Sequence, residues 1–209
     1  MTDPPGDSGM TDEELAVEAR AGSRRSFEEL ALRYRRRLFV YLRPRLGSDE
    51  DAEDMVQETF LKLYRNIARY NPAYRFSTWL YTSANRLAIS SYRKKRAVEV
   101  RLEPTAMAAA TPVGPGDGQA AAGLWGAARG LGGNQFRVLW LRYGEGMTVA
   151  EIAESIVKSR LAVRLLLHRA RTNLMKEIGT APFPEAAWPG IPKETPIGRG
   201  QGERRCSAI

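Results

Sequence analysis

The strongest constraint on this chain is a gap in its pattern. From about Ala97 to Ala122 the sequence runs through TAMAAATPVGPGDGQAAAG, rich in Ala, Gly and Pro and without apolar periodicity. Such a segment offers no face to bury, so any core must be built on either side of it. Both flanks carry apolar residues at helical spacing. The expected fold is therefore all-α, with two small helical domains joined by a flexible linker. GPGDG within the gap has no preceding strand and no Lys-Ser/Thr pair, so it reads as linker rather than as a phosphate-cradling loop. A chain of 209 residues has room for this arrangement. The expected units are a disordered leader over 1–10, a first domain over 11–96, the linker over 97–122, a second domain over 123–178 and a Pro/Gly-rich tail over 179–209.

The first domain opens with TDEE at Thr11, a capping-box pattern that starts a short helix to about Ala21. A longer helix follows from Arg24 to Leu46. Phe27, Leu30, Ala31, Tyr34, Leu38, Tyr41 and Leu42 share its apolar face, Arg33, Arg35, Arg36 and Arg37 lie on the other, and Pro44 and Gly47 mark its end. The next helix starts at Ser48, with Asp49, Glu50 and Asp51 complementing the positive end of its dipole. Ala52, Val56, Phe60, Leu63 and Ile67 recur at three- and four-residue steps and should be buried. Asp54, Glu58, Leu61 and Arg65 fall opposite. A polar face carrying an outward leucine suits a protein partner better than plain solvent.

After a Pro-marked turn, the helix from Phe76 to Arg96 mixes rings with cations: Tyr74, Trp79, Tyr81 and Tyr92 beside Arg75, Arg86 and the run Arg93, Lys94, Lys95, Arg96. Charge that follows phosphates and rings that stack on bases are what a single-stranded nucleic acid surface needs. Trp79 fits the core better than that surface. Four consecutive cations exceed what a helix C-terminus requires.

The second domain has helical patterns near Leu124–Leu131 and from Asn134 to Tyr143, broken by Gly144, Glu145 and Gly146. Thr148 caps a short helix with Glu151 as its partner, and a turn at Ile156–Lys158 leads into a long basic helix. This is the layout of a helix-turn-helix, with Ala153 small at the crossing and Ile152, Ile156, Val163 and Leu166 joining the two helices. Arg160, Arg164, His168 and Arg171 form one stripe on the second helix, as units that meet the major groove do. Val157 stands where such turns favour glycine. Either the turn has a different shape, or it bears a strain of about 1–2 kcal/mol.

Formal net charge is +8, concentrated at Arg33–Arg45, Arg86–Arg101 and Arg160–Arg171, a footprint suited to an acidic polymer. One cysteine, Cys206, and one histidine, His168, rule out an internal disulfide and a zinc site built from those ligands, and Asp49–Asp54 reads as helix capping rather than a metal cluster. His168 has no partner acid or nucleophile, so neither an enzyme nor a cofactor is expected. The N-terminus lacks the apolar core of a secretory signal, no run approaches membrane-spanning length, and cytoplasmic localisation is the default. Pro182, Pro184, Pro189, Pro192 and Pro196 leave the tail unable to bury a core of its own.

DAEDMVQETFLKLYRNIARYNPAYRFSTWLYTSANRLAISSYRKKR, followed by MTVAEIAESIVKSRLAVRLLLHRARTNL, resembles the extracytoplasmic-function group of bacterial sigma factors over roughly Glu13 to Ile178. The resemblance implies a non-enzymatic promoter-specificity subunit of RNA polymerase. Asp54, Gln57, Glu58 and Leu61 would dock on core polymerase. Arg75, Tyr81, Asn85, Arg86, Arg93 and Lys94 would bind the melted minus-ten element. Lys158, Ser159, Arg160, Arg164, His168 and Arg171 would read the minus-35 duplex. Promoter DNA, core polymerase and an anti-sigma factor are the implied partners, with no small-molecule substrate, no insertion into the membrane, and association with the nucleoid when active. The alternative is a stand-alone helix-turn-helix regulator, which would have no use for the Leu61 face. Asn85-Arg86 stands where the family often has Arg-Asn, and Gly132-Gly133 where a Leu-Pro pair is common. Whether the two domains pack together in the free protein is left open.

Overall fold

The computed structural model describes residues 9–98 and 119–179, with side chains over 9–91 and 123–179. Helices account for the architecture, and no strand occurs among the described residues. In the first domain α1 (Asp12–Arg20), α2 (Arg24–Leu46), α3 (Asp49–Arg65) and α4 (Phe76–Val98) follow one another, with a single 3-10 turn at Ile67–Arg69 before α4. In the second, α5 (Gln119–Gly130) and α6 (Gly133–Leu139) lead through a π-helical turn, Trp140–Gly144, to α7 (Val149–Ser155) and α8 (Arg160–Ile178). Helix α5 starts inside the stretch read as linker, whose greater part lies outside the described residues, as do the leader to residue 8 and the tail after Gly179 with Phe183, Trp188 and Cys206.

Local chemistry sets most of the helix starts. Thr11 and Glu14, and again Thr148 and Glu151, exchange both arms of a capping box. Ser23, Ser48 and Ser159 each accept the N–H three residues on. Helix α4 has no such residue before it, since Arg75 stands there. Its cap comes from far away in the chain: the Phe76 N–H donates to Glu13 Oε1 at 3.2 Å, tying α4 to α1.

Leu15, Leu30, Leu38, Leu42, Leu63, Phe76 and Leu80 fill the first domain, each fully buried and worth about 1.5–3 kcal/mol in transfer free energy. On α3, Ala52, Val56 and Leu63 are buried as the spacing required, with Met55 and Thr59 beside them and Phe60 half-buried, while Ile67, half-buried too, falls in the 3-10 turn that follows. Trp79 is half-buried against Tyr70 and Phe76. In the second domain Trp125, Phe136 and Trp140 pack ring to ring above Ile152, Val163, Leu167 and Leu174. Leu167 takes the inner position that the spacing had given to Leu166, which is half-buried.

The buried residues of both domains form one continuous cluster. Helix α4 packs on α7 and α2 on α6. Tyr41 bridges the two, with its ring 4.8 Å from Tyr81 and 6.5 Å from Trp140. The domains thus share a core as well as a chain.

Candidate nucleic-acid and partner-binding surfaces

Three surfaces carry the residues singled out by the sequence. On α3, Asp54, Gln57, Glu58 and Leu61 are all exposed, and Leu61 retains 55% of its accessible surface. Beside them, Leu32, Arg35, Arg36 and Phe39 of α2 and Glu53 and Val56 of α3 line a groove of about 300 Å³. Leu32 is as exposed as Leu61. Nothing in the local sequence marks it, because it sits among arginines on the cationic side of α2.

The arginines of α2 do not form one free basic footprint. Arg33 pairs with Asp12 at 2.9 Å and Glu29 at 2.6 Å, Arg43 pairs with Asp49, and Arg37 reaches Glu145 of the second domain at 3.0 Å. Arg35 and Arg36 are exposed. Helical periodicity places four arginines away from the α2 core, but acids from α1, α2 itself, α3 and the second domain pair with Arg33, Arg37 and Arg43.

The second surface is the helix-turn-helix. Lys158, Ser159, Arg160, Arg164 and His168 are exposed and Arg171 is half-buried, so the predicted stripe exists along most of its length. Leu161 and Leu165 lie in the same run, exposed at 66% and 51%. Val157 has φ 55°, so the turn does pass through the left-handed region at a β-branched residue. Ser159 then restarts the helix by accepting the Ala162 N–H at 3.1 Å.

The third surface is the one the structure changes most. Tyr81 and Asn85 are fully buried, Arg75 is exposed and Arg86 half-buried, while the side chains of Arg93 and Lys94 lie outside the described residues. What covers Tyr81 and Asn85 is the second domain. Tyr81 donates to Glu145 Oε1 at 2.7 Å and accepts from Trp140 Nε1 at 3.1 Å. The Asn85 carbonyl accepts from Tyr41 at 2.9 Å and from Arg137 at 2.7 Å, and its amide donates to Ser155 at 2.8 Å. Arg37 donates to the Gly144 carbonyl, Arg75 to the Glu145 carbonyl and Thr78 to the Glu151 carboxylate.

Glu145 sits at the centre of this network and is only 4% exposed. Burial pushes its carboxyl above the ordinary carboxylate range, opposed by the Arg37 guanidinium and by the Tyr81 hydroxyl. Burial likewise raises Tyr81 well above a free phenol, and the Glu145 carboxylate adds to that shift. In the sequence Glu145 was only the middle of a Gly-Glu-Gly break. Tyr81 and Arg37, its partners in the first domain, are more than sixty residues distant, so no local pattern announces it. Among the described residues no cluster of acids, cysteine and histidine could hold a metal ion, and no helix is long and apolar enough to cross a membrane.

Comparison with known proteins bears on all three surfaces. Residues 30–98 match the Sigma-70 region 2 family and residues 126–174 the Sigma-70, region 4 family. RNA polymerase sigma factor CarQ of Myxococcus xanthus is 31% identical over 162 residues, covering 77% of this chain and 93% of CarQ. The extracytoplasmic-function sigma factor BldN of Streptomyces coelicolor is 33% identical over 172 residues, 78% of this chain. The chain spans 64% of the length of BldN and 42% of that of SigW of Bacillus subtilis, which it matches at 33% identity. Among solved structures, CnrH in complex with the cytosolic domain of CnrY superposes with a TM-score of 0.53 at 25% identity, over 80% of this chain and 97% of CnrH. The sigma factor RpoE of Bartonella quintana, solved with the anti-sigma factor NepR, shares the fold with a TM-score of 0.55 at 21% identity, over 74% of this chain and 97% of that one. With a region 2 match on the first domain, a region 4 match on the second, and a relative covered almost end to end, the chain belongs to the extracytoplasmic-function group of RNA polymerase sigma factors.

Proposed function

We propose that this protein binds core RNA polymerase and directs promoter-specific transcription initiation, without chemistry of its own. The observation that carries this reading is the pairing, in one chain, of an exposed partner face on α3 with an exposed cationic stripe on a helix-turn-helix. A DNA-binding regulator needs only the second. Asp54, Gln57, Glu58 and Leu61, with the Leu32 groove beside them, are the docking face for the polymerase. Leu61 and Leu32 supply apolar anchors, and the acids around Leu61 set orientation by charge.

Helix α8 enters the major groove of the minus-35 element. Arg160 and Arg164 serve for bidentate contact to guanine, and Leu161 and Leu165, exposed in the same run, suit thymine methyl groups. Lys158, Ser159, His168 and Arg171 contact the backbone around them. On the first domain Arg75, Tyr81, Asn85 and Arg86, with Arg93 and Lys94 further along α4, hold the melted minus-ten strand by stacking and by phosphate contact. An anti-sigma factor is the expected inhibitory partner, since the similar RpoE was solved bound to one. A protein with these tasks works where polymerase and promoters are, in the cytoplasm at the nucleoid.

The test is a reconstitution of purified bacterial core polymerase, this protein and a library of promoter fragments, read for core association and for open-complex formation. Association with core and melting of a defined subset is the expected result. Duplex binding with no core association would replace the reading with that of a stand-alone regulator.

A further inference from the structure

The contacts between the domains are chemically one-sided at one place. Arg37, Arg75, Thr78 and Tyr81, all of the first domain, donate to oxygens of a single short segment of the second, Gly144 to Glu151. Those oxygens are two carboxylates and two backbone carbonyls. The tightest focus is Glu145 Oε1, which lies 2.7 Å from the Tyr81 hydroxyl and 3.0 Å from Arg37 Nη2. A guanidinium and a phenol converging on one anionic oxygen, walled by Tyr41 and Trp140, form a built anion site. A phosphate oxygen makes the same demands on the donors as a carboxylate oxygen does.

We infer that Arg37 and Tyr81, flanked by Arg75, form a phosphate cradle for single-stranded DNA, and that the Glu145 carboxylate fills this cradle in the free protein as a stand-in for the strand. The inference rests on the proposed sigma-factor function for the identity of the strand. Arg37 lies on α2, outside the aromatic-basic helix from which minus-ten contacts are expected, and so extends that surface onto a second helix. Because the same donors cannot serve Glu145 and a phosphate together, closure of the second domain and strand binding exclude one another. The apparent affinity for a strand is then the intrinsic affinity reduced by the fraction of molecules that are open.

Glu145→Ala in the full-length protein removes the stand-in and leaves the cradle. It should enlarge the radius of gyration in small-angle X-ray scattering and raise affinity for a labelled mixed-sequence single-stranded oligonucleotide by about tenfold or more. Adding Arg37→Ala to that variant keeps the protein open, returns the affinity to near the starting value, and lowers the slope of log affinity against log salt by about 0.7, the share of one phosphate on a single strand. Glu145→Gln keeps the shape of the side chain without its charge, and should gain affinity in the same direction if Glu145→Ala loses helical structure by circular dichroism. A Glu145→Gln variant that stays compact with unaltered strand affinity overturns closure by stand-in. A double variant as tight as Glu145→Ala alone, with the same salt slope, overturns the cradle. Core polymerase association, measured on the same preparations, separates the two levels. Core binding with no gain in strand affinity refutes this inference and leaves the sigma-factor function standing. Strand affinity gained and lost as described without core association supports the cradle and refutes that function.

Discussion

Two surfaces of this molecule carry nearly the same ingredients and meet opposite fates. On α8, cations and apolar side chains alternate in the open, with Arg160, Leu161, Arg164 and Leu165 all exposed. On the face shared by α2 and α4, Arg37, Tyr81 and Asn85 are turned into hydrogen bonds with the second domain. The difference lies in the partners. Among the described residues no acid across the domain contact pairs with the basic helix of the second domain, whereas the first domain meets a segment carrying Glu145 and Glu151. A surface rich in donors suits carboxylates as well as phosphates, and the fold supplies the carboxylates.

Breaking the closed side should have the largest effect. Asn85→Ala deprives Tyr41, Arg137 and Ser155 of a common partner in a buried site and should cost about 3 kcal/mol, read by urea denaturation. The open side should respond in binding and not in stability. Arg164→Ala should leave the unfolding midpoint unchanged while weakening binding to the preferred minus-35 duplex by about 1–3 kcal/mol in fluorescence anisotropy. A uniform loss across sequences would assign it to phosphate instead.

The partner face gives an intermediate effect. Glu58→Lys, at an exposed position of α3, should lower affinity for core polymerase by about tenfold in surface plasmon resonance, with the fold intact. Unchanged affinity would move the docking face elsewhere on the domain. Val157→Gly should stabilise the helix-turn-helix by about 0.5–1 kcal/mol in thermal unfolding, since relief of left-handed strain at φ 55° exceeds the added freedom of glycine in the unfolded chain.

Much of the fold is written locally. Thr11, Ser23, Ser48, Thr148 and Ser159 each announce the helix they cap, and the spacing of Leu30, Leu38 and Leu42 or of Ile152 and Val163 tells which side is buried. These features depend on residues three or four apart, which one helix brings together whatever surrounds it. The family was legible for the same reason, because its motifs are runs of adjacent residues. The exposed sites on α3 and α8 followed, since a residue opposite a buried face stays exposed unless something arrives to cover it.

Tertiary structure decided what arrives. Tyr81 and Asn85 occupy regular positions on α4, and nothing within α4 says that Glu145 and Ser155 will close over them. Glu13 caps α4 from α1, and Arg37 finds its acid across the domain boundary. Which residues share a face can be read along the chain, because helical periodicity is a property of neighbours. Which faces meet depends on how whole helices pack and on where charges from distant segments cancel, and that was settled only when the two domains came together around Tyr41, Tyr81 and Trp140.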